Sequence, residues 1–301
     1  MNHSTSKSKK CAFIGLGIMG LSMASRLLDG GVQLAVHSRT MAKAKALIDR
    51  GARSAATPAE AARDADVVFI CVTDTPDVKA VIEGPDGIAS SARPGLIVVD
   101  HSTISPSETR KMSAALAARG ATMLDAPVSG GDIGAKNGTL SIMVGGEANA
   151  VEAVRPLLEL MGKTITHCGP SGTGQLTKLV NQILVSVTNL AVCEALSFAK
   201  KNDLDLPKTL AAVGGGAAGS WQLTNLGPKM IAGDFKPGFM IDLQQKDLRL
   251  VLEAAAMANA GIIATTLAHG LFAQAQADGR GREGTQALFG VVEKLGSKGT
   301  K

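Results

Sequence analysis

The chain reads as an α/β protein: a Rossmann-type parallel-sheet domain followed by an all-α domain, joined by a long interdomain helix. Three observations predict this. Short apolar runs alternate with helical spacing through the first half, and only helical patterns fill the second. A G-x-G-x-x-G string directly follows the first apolar run.

The elements follow in order. CAFIG (11–15) is a short buried strand, and LGIMGLSMASRLLDGG (16–31) carries helical spacing and stops at Gly30 and Gly31. VQLAVHS (32–38) is the next strand, and TMAKAKALIDRG (40–51) is a helix closed by Gly51. TPAEAARDA (57–65) is a short helix with Pro58 in its first turn. DVVFICVT (66–73) and GLIVVDH (95–101) are unbroken apolar runs, as parallel strands covered on both faces require. SPSETRKMSAALAARG (105–120) is a helix opened by Ser105 and Pro106 and ended by Gly120. ATMLDAPV (121–128), TLSIMVGG (139–146) and ITHCG (165–169) are further strands. Strands spaced by helices of this length imply right-handed βαβ units and an open parallel sheet.

From Gln175 to Leu295 there are four or five long helical patterns and no convincing strand. The first of them, LTKLVNQILVSVTNLAVCEALSFAKK (176–201), is long enough to bridge two domains. The turn-rich GPSGTG (169–174) marks the boundary, giving a dinucleotide-binding domain over 10–170 and a helical substrate and oligomerisation domain over 171–296. AAVGGGAAGSWQ (211–222) reads as a loop or hinge, and GSKGTK (296–301) as a frayed tail.

Composition narrows the function. Hydrophobic residues make up 45% and charged residues 19%, with no biased block, as in an ordinary soluble globular chain. The net charge of +5 does not point to nucleic acid. The basic residues are scattered, Lys7, Lys9 and Lys10 form the only cluster, and one Trp with no Tyr leaves little to stack on bases. A positive field suits a phosphate-bearing cofactor and an anionic substrate equally well. The four cysteines show no C-x-x-C spacing and three lie in apolar runs, so a reduced cytoplasmic setting without a metal site is expected. MNHSTSKSKK (1–10) is a polar tail rather than a signal peptide. No uninterrupted apolar run approaches the ~18 residues of a membrane helix.

GLGIMG places Gly15, Leu16, Gly17, Ile18, Met19 and Gly20 between the first strand and the first helix. In such a loop Gly15 makes the tight turn, Gly17 admits a pyrophosphate close to the backbone, and Gly20 lets helix pack on strand. The helix N-terminus then offers amides and partial positive charge to phosphate. At the end of the second strand a site for NAD(H) usually carries Asp or Glu. This chain instead has Ser38, Arg39 and Thr40, with Lys43 one turn later, a set that favours the 2′-phosphate of NADP(H) while leaving NAD(H) possible.

DAPVSGGDIGAKNGTL (125–140) puts Ser129, Gly130 and Gly131 just after a strand, where consecutive glycine amides can nest a carboxylate. DHSTISP (100–106) follows a strand at the same edge of the sheet. Between Ser171 and Cys193, Lys178 is the only charged side chain. Helical spacing gives an apolar stripe of Leu176, Leu179, Val180, Ile183 and Val187. Beside it lies an uncharged polar patch of Gln175, Asn181 and Gln182 around the ammonium. A buried ammonium in such company is driven toward neutrality and becomes a competent acid or base near pH 7. The competing reading is a lysine that snorkels to the surface.

GLGIMG, DHSTISP, DAPVSGGDIGAKNGTL, GTGQLTKLVNQ and FMIDLQQKDL together resemble the β-hydroxyacid dehydrogenases over nearly the whole chain. The resemblance implies that Gly15, Gly17, Met19 and Gly20 hold the cofactor, Thr103 sits beside the nicotinamide, and Ser129, Gly130 and Gly131 bind the substrate carboxylate. It makes Lys178 the catalytic residue, with Asn181 or Gln182 orienting the ammonium on the substrate. It places Phe239, Lys246 and Asp247 on a helix that closes over cofactor and substrate. Trp221, in the glycine-rich hinge, either lids a pocket or simply packs.

The activity implied is hydride transfer between NADP(H) or NAD(H) and a small carboxylate-bearing aldehyde or 3-hydroxy acid, of the tartronate semialdehyde, succinic semialdehyde or glyoxylate class. Two alternatives stand beside it. One is a 3-hydroxyisobutyrate, L-serine or threonate dehydrogenase favouring oxidation with NAD, and the other is a non-catalytic dinucleotide-binding module. A decarboxylating 6-phosphogluconate enzyme is disfavoured for want of a long carboxy-terminal extension, and an imine reductase because those relatives lose the lysine. The expected partners are a small-molecule substrate and further copies of the chain, as a homodimer or homotetramer. Neither nucleic acid nor membrane is expected.

Overall fold

A computed structural model of the chain describes residues 9–296. Residues 1–8, including Lys7 of the basic cluster, and the tail beyond Gly296 lie outside the described residues. Two compact units divide between Lys178 and Leu179.

In the first unit the alternation read from the sequence becomes β1 (Lys10–Ile14), α1 (Ile18–Asp29), β2 (Gln33–His37), α2 (Lys45–Ile48), β3 (Arg53–Ser54), α3 (Pro58–Ala62) and β4 (Val67–Ile70). Then come α4 (Thr75–Glu83), β5 (Ile97–Asp100), α5 (Pro106–Ala117), β6 (Thr122–Asp125), β7 (Val128–Ser129) and α6 (Gly131–Asn137). β8 (Leu140–Gly145), α7 (Ala148–Leu158) and β9 (Gly162–Gly169) follow, before α8 (Thr173–Lys201) begins.

The strands order as β3-β2-β1-β4-β5-β6-β8-β7, with β9 against β8. From β3 to β6 every pairing is parallel, as expected. The far edge departs from that expectation. β8 meets β6 and β7 antiparallel and carries β9 parallel to itself, so the sheet is mixed. The stretch from Gly130 to Thr139 is shorter than the roughly dozen residues a parallel crossover needs, so β7 and β8 close antiparallel.

Strand alternation builds two cores. Cys11, Phe13, Val67, Phe69 and Val99 pack on one face with Met23 and Leu27 of α1 and Val151 and Val154 of α7. Ala12, Ile14, Val68, Ile70 and Val98 pack on the other with Val78 and Ile82 of α4 and Met112 and Leu116 of α5. Because both faces are covered, these strands read as unbroken apolar runs. α4 and α7 are additional to the helices expected. Asp74 caps α4, accepting the Thr75 N–H at 2.7 Å, and α7 buries Val151, Val154, Leu157 and Leu158 despite an internal Pro156. TMAKAKALIDRG shortens to a 3-10 turn, Met41–Ala44, and the single turn of α2.

The second unit holds the rest of α8, then α9 (Leu206–Gly214), α10 (Trp221–Ala232), α11 (Ile241–Ala258), α12 (Ile263–Ala277) and α13 (Leu288–Leu295). Its core gathers Cys193, Leu196, Leu248, Phe272 and Leu288. The expected hinge is shorter than its glycine content suggested. Ala211–Gly214 finish α9 and Trp221 opens α10, with Ser220 capping through its side chain at the Leu223 N–H. Trp221 is largely exposed, so plain interior packing does not account for it.

α8 buries residues of both its stripes. Gln175, Lys178, Gln182, Ser186 and Asn189 are all buried, as the reading of a buried ammonium expects, and so is Leu179 of the apolar stripe, whereas Leu176, Val180 and Leu184 are 43%, 57% and 64% exposed. By length and composition this helix could cross a bilayer, but it buries Leu190, Cys193 and Leu196 in a core of the chain itself.

His101, just past β5, shows how burial sets a titration. Its ring stacks on Phe69 with centroids 5.7 Å apart, and Nδ1 lies 2.7 Å from the Ala126 carbonyl. Burial lowers its pKa from 6.5 to about 4. The unfolded chain therefore takes up a proton at higher pH than the folded one, so stability present above pH 6.5 is lost as pH falls toward 4, about 3 kcal/mol in full. His101→Phe keeps the stack and removes the titration. Denaturant melts between pH 7 and 4.5 should show a shallower acid loss for the variant than for wild type. Parallel profiles would exclude His101 as the titrating group.

Candidate active site

The first unit presents a backbone cradle where β1 meets α1. Gly15 has φ of +97°, and a Cβ there would run into the Cys71 carbonyl oxygen. A Cβ on Gly20 would strike the Gly15 carbonyl oxygen. Close approach of backbone to backbone thus demands glycine at both positions. Gly17 is the N-cap of α1, with no side-chain cap and no acidic residue in the first turn, so the helix offers bare amides at this end. Leu16 is 2% exposed and committed to the core, which leaves only its backbone for a ligand, while Ile18 is exposed and Met19 half-buried. An anionic pyrophosphate fits these features.

Ser38, Arg39 and Thr40 follow β2, and Lys43 lies exposed in the 3-10 turn beyond it. The Ser38 hydroxyl accepts the Thr40 N–H at 3.4 Å. No carboxylate is near in sequence, but the fold supplies one: Asp77 in the first turn of α4 pairs with the Arg39 guanidinium at 3.1 Å. Nothing local in the sequence announces that pairing.

Thr103 and Ser129 come off the sheet at the same edge, past β5 and at the end of β7. Asp100 Oδ1 accepts the Ser102 N–H at 2.9 Å, and the Ser102 hydroxyl accepts the Val72 N–H at 2.9 Å. On either side of Thr103 the backbone is held by Gln175, whose Oε1 accepts the Ile104 N–H at 3.1 Å and whose Nε2 donates to the Ser102 carbonyl at 2.8 Å. Ser129 pairs in register with Ser141 of β8. Gly130, at φ +130°, is the N-cap of α6, so the glycine pair opens a short helix and not merely a loop.

Asp125 ends β6 and is fully buried. Its carboxylate accepts the N–H of Gly172 at 2.7 Å and of Gln175 at 2.9 Å, fastening the start of α8 to the sheet. Burial raises its pKa above the ordinary carboxylate value, and those amides pull it back down. Lys178 follows Gln175 on the same face of the helix and is 7% exposed, which excludes a lysine snorkelling to the surface. In DAPVSGG the serine and glycines are legible from the sequence, whereas the structural work of the leading aspartate is not. The partners of Asp125 lie some fifty residues away, and no local pattern marks them.

In the second unit Asn181 Nδ2 donates to Gln182 Oε1 at 2.8 Å, and Gln182 Nε2 donates to Asp247 Oδ2 at 2.5 Å. Lys246 lies 2.6 Å from the other Asp247 oxygen, and Asp247 is 2% exposed. Phe239 precedes α11 rather than riding on it, and its carbonyl accepts the Thr285 N–H at 3.0 Å. The structure thus joins Asn181, Gln182 and Asp247 by hydrogen bonds and Lys246 to Asp247 by an ion pair, and leaves Phe239 outside the group. Among the described residues, no group of three or more His, Cys, Asp or Glu is gathered as a metal site requires.

Known proteins resemble the chain in sequence and in fold. Residues 10–169 match the NAD binding domain of 6-phosphogluconate dehydrogenase, and residues 172–292 match the NAD-binding domain of NADP-dependent 3-hydroxyisobutyrate dehydrogenase. The 2-hydroxy-3-oxopropionate reductase of Escherichia coli (strain K12) is 42% identical, covering 95% of this chain and 98% of that one. A Mycobacterium tuberculosis 3-hydroxyisobutyrate dehydrogenase solved with L-serine superposes with a TM-score of 0.87 at 31% identity, over 96% of this chain and 99% of its own. Psf3, solved with NADP+ and 2-OPP, gives a TM-score of 0.87 at 30% identity, over 94% and 99%. The sequence matches and the superpositions each run over nearly the whole of both chains. The chain belongs to the β-hydroxyacid dehydrogenases, NAD(P)-dependent oxidoreductases acting on CH–OH groups.

Proposed function

We propose that the chain is a reversible reductase of small carboxylate-bearing aldehydes, of the tartronate semialdehyde, succinic semialdehyde or glyoxylate class, with NADP(H) preferred over NAD(H). One observation carries the reading: Lys178 is buried, on a helix whose first turn is fastened to the Thr103 segment at the sheet edge that also presents Ser129. The reductase relative and the NADP+ in a solved relative support the substrate class and the cofactor.

When bound, the nicotinamide supplies the hydride in reduction and receives it in oxidation. The cradle of Gly15 to Gly20 would hold the pyrophosphate of the dinucleotide, and Ser38, Arg39, Thr40 and Lys43 the 2′-phosphate of its adenosine ribose. Ser129 with the amides of Gly130 and Gly131 holds the substrate carboxylate, which fixes the distance of the reacting carbon. As the new C–H bond forms and the carbonyl π bond opens, Lys178 delivers a proton to the oxygen. In the reverse direction its neutral amine takes the hydroxyl proton. Both ends of the Gln182 amide are spent, on Asn181 and on Asp247. We therefore assign the substrate contact to Asn181 and a positioning part to Gln182.

A second reading, oxidation of a 3-hydroxyisobutyrate- or L-serine-like acid with NAD, draws on the L-serine in one solved relative and on Asp77, which offsets the charge of Arg39. The four free cysteines support a reducing cytoplasmic setting. The outward apolar residues of α8, Val180, Leu184 and Phe198, support self-association as a homodimer or homotetramer.

A panel of semialdehydes and 3-hydroxy acids, assayed with both cofactors, tests the substrate class; turnover of none of them would overturn it. Lys178→Ala should lower kcat by about 10²- to 10⁴-fold while cofactor binding persists, and full turnover would end the proton-donor assignment. Arg39→Ala should raise the KM for NADPH by about 10- to 100-fold and leave NADH nearly unaffected. Equal losses for both cofactors would remove the 2′-phosphate argument. Leu184→Glu should shift the mass measured by light scattering toward the monomer. An unchanged mass would place the interface elsewhere.

A further inference from the structure

We propose that Gln175 is a positioning residue, which holds the Thr103 segment and the lysine of α8 in one register for hydride transfer. The proposal rests on the assignment of Lys178 as proton donor. Three observations in the first unit carry it. Gln175 is fully buried. Its carboxamide pairs with backbone on both sides of Thr103, accepting from Ile104 at 3.1 Å and donating to Ser102 at 2.8 Å. Its own N–H is held by Asp125 at 2.9 Å, on the strand that leads into Ser129.

A carboxamide presents one donor and one acceptor side by side, as a peptide group does. Gln175 thus closes on the 102–104 segment as a piece of neighbouring strand would, and Thr103 is displayed between two pinned peptides. Lys178 follows one turn later, about 4.5 Å along the axis, on a helix with no freedom to slide past that clamp. Elements far apart in sequence therefore share one pivot. Thr103, Ser129 and Lys178 all take their position from the Asp125–Gln175 pair, which itself touches no reacting atom. A misplacement of about 1 Å in such a frame costs on the order of 10²-fold in rate.

Gln175→Met conserves length and burial but can neither accept from Ile104 nor donate to Ser102. In the cofactor-free protein, exchange of the Ile104 amide should quicken by at least about tenfold as its partner is lost. In the assay, kcat should fall by about 10²-fold, with NADPH affinity retained. The deuterium isotope effect from 4-deuterated NADPH should rise as the chemical step becomes limiting, a change that a smaller folded fraction would not produce. Gln175→Glu supplies a second measurement in case the methionine protein does not fold. Its carboxylate lacks the donor but its neutral acid restores one, so its kcat relative to wild type should recover as pH falls from 8 to 6. A folded Gln175→Met protein with wild-type kcat and isotope effect would overturn the inference. So would a loss of kcat matched by loss of cofactor-binding protein at constant isotope effect. Lys178→Ala, run in parallel, separates the two claims. If it is inactive while Gln175→Met is unaffected, only the positioning role fails; if it keeps full turnover, the reading beneath it fails.

Discussion

The arrangement of the first unit depends on one buried carboxylate. Asp125 sits at the end of a central strand and accepts the amides of Gly172 and Gln175. A helix start normally finds such a cap within its own sequence. Here a strand supplies it, and the negative charge also complements the positive end of the helix. The cost of burying that carboxylate, visible in its raised pKa, is offset by hydrogen bonds that tie sheet and helix together. Without the tie, the lysine would have no defined place relative to the loops that leave the same sheet edge.

α8 shows why a helix cannot be judged from its hydrophobic stripe alone. Periodicity identifies two faces and does not say which of them is covered. In this chain polar residues are buried beside apolar ones, because Gln175 spends its carboxamide on two backbone groups and Gln182 spends its own on Asp247 and Asn181. Buried polar groups are tolerated when they are paired. Val180 and Leu184 of the same helix are left exposed.

The cofactor cradle obeys a different constraint, space. Gly15 and Gly20 are required because their neighbours are backbone carbonyls that cannot move aside. Close by, Arg39 and Asp77 place opposite charges together at an exposed site, where such a pair contributes little stability.

From the sequence alone the parallel core of the sheet, the glycine turn, the long helix and the isolated lysine were all legible. Each is written in local order: unbroken apolar runs, a turn that only glycine can make, and a 3.6-residue period. The reversal at β8, the Arg39–Asp77 pair and the clamp of Asp125 and Gln175 were decided by tertiary structure. Their partners lie tens of residues apart, Gln175 from Ser102 and Asp125 from Gly172 among them. A hydrogen bond at that separation leaves no period and no spacing to read, because folding alone brings its two ends together.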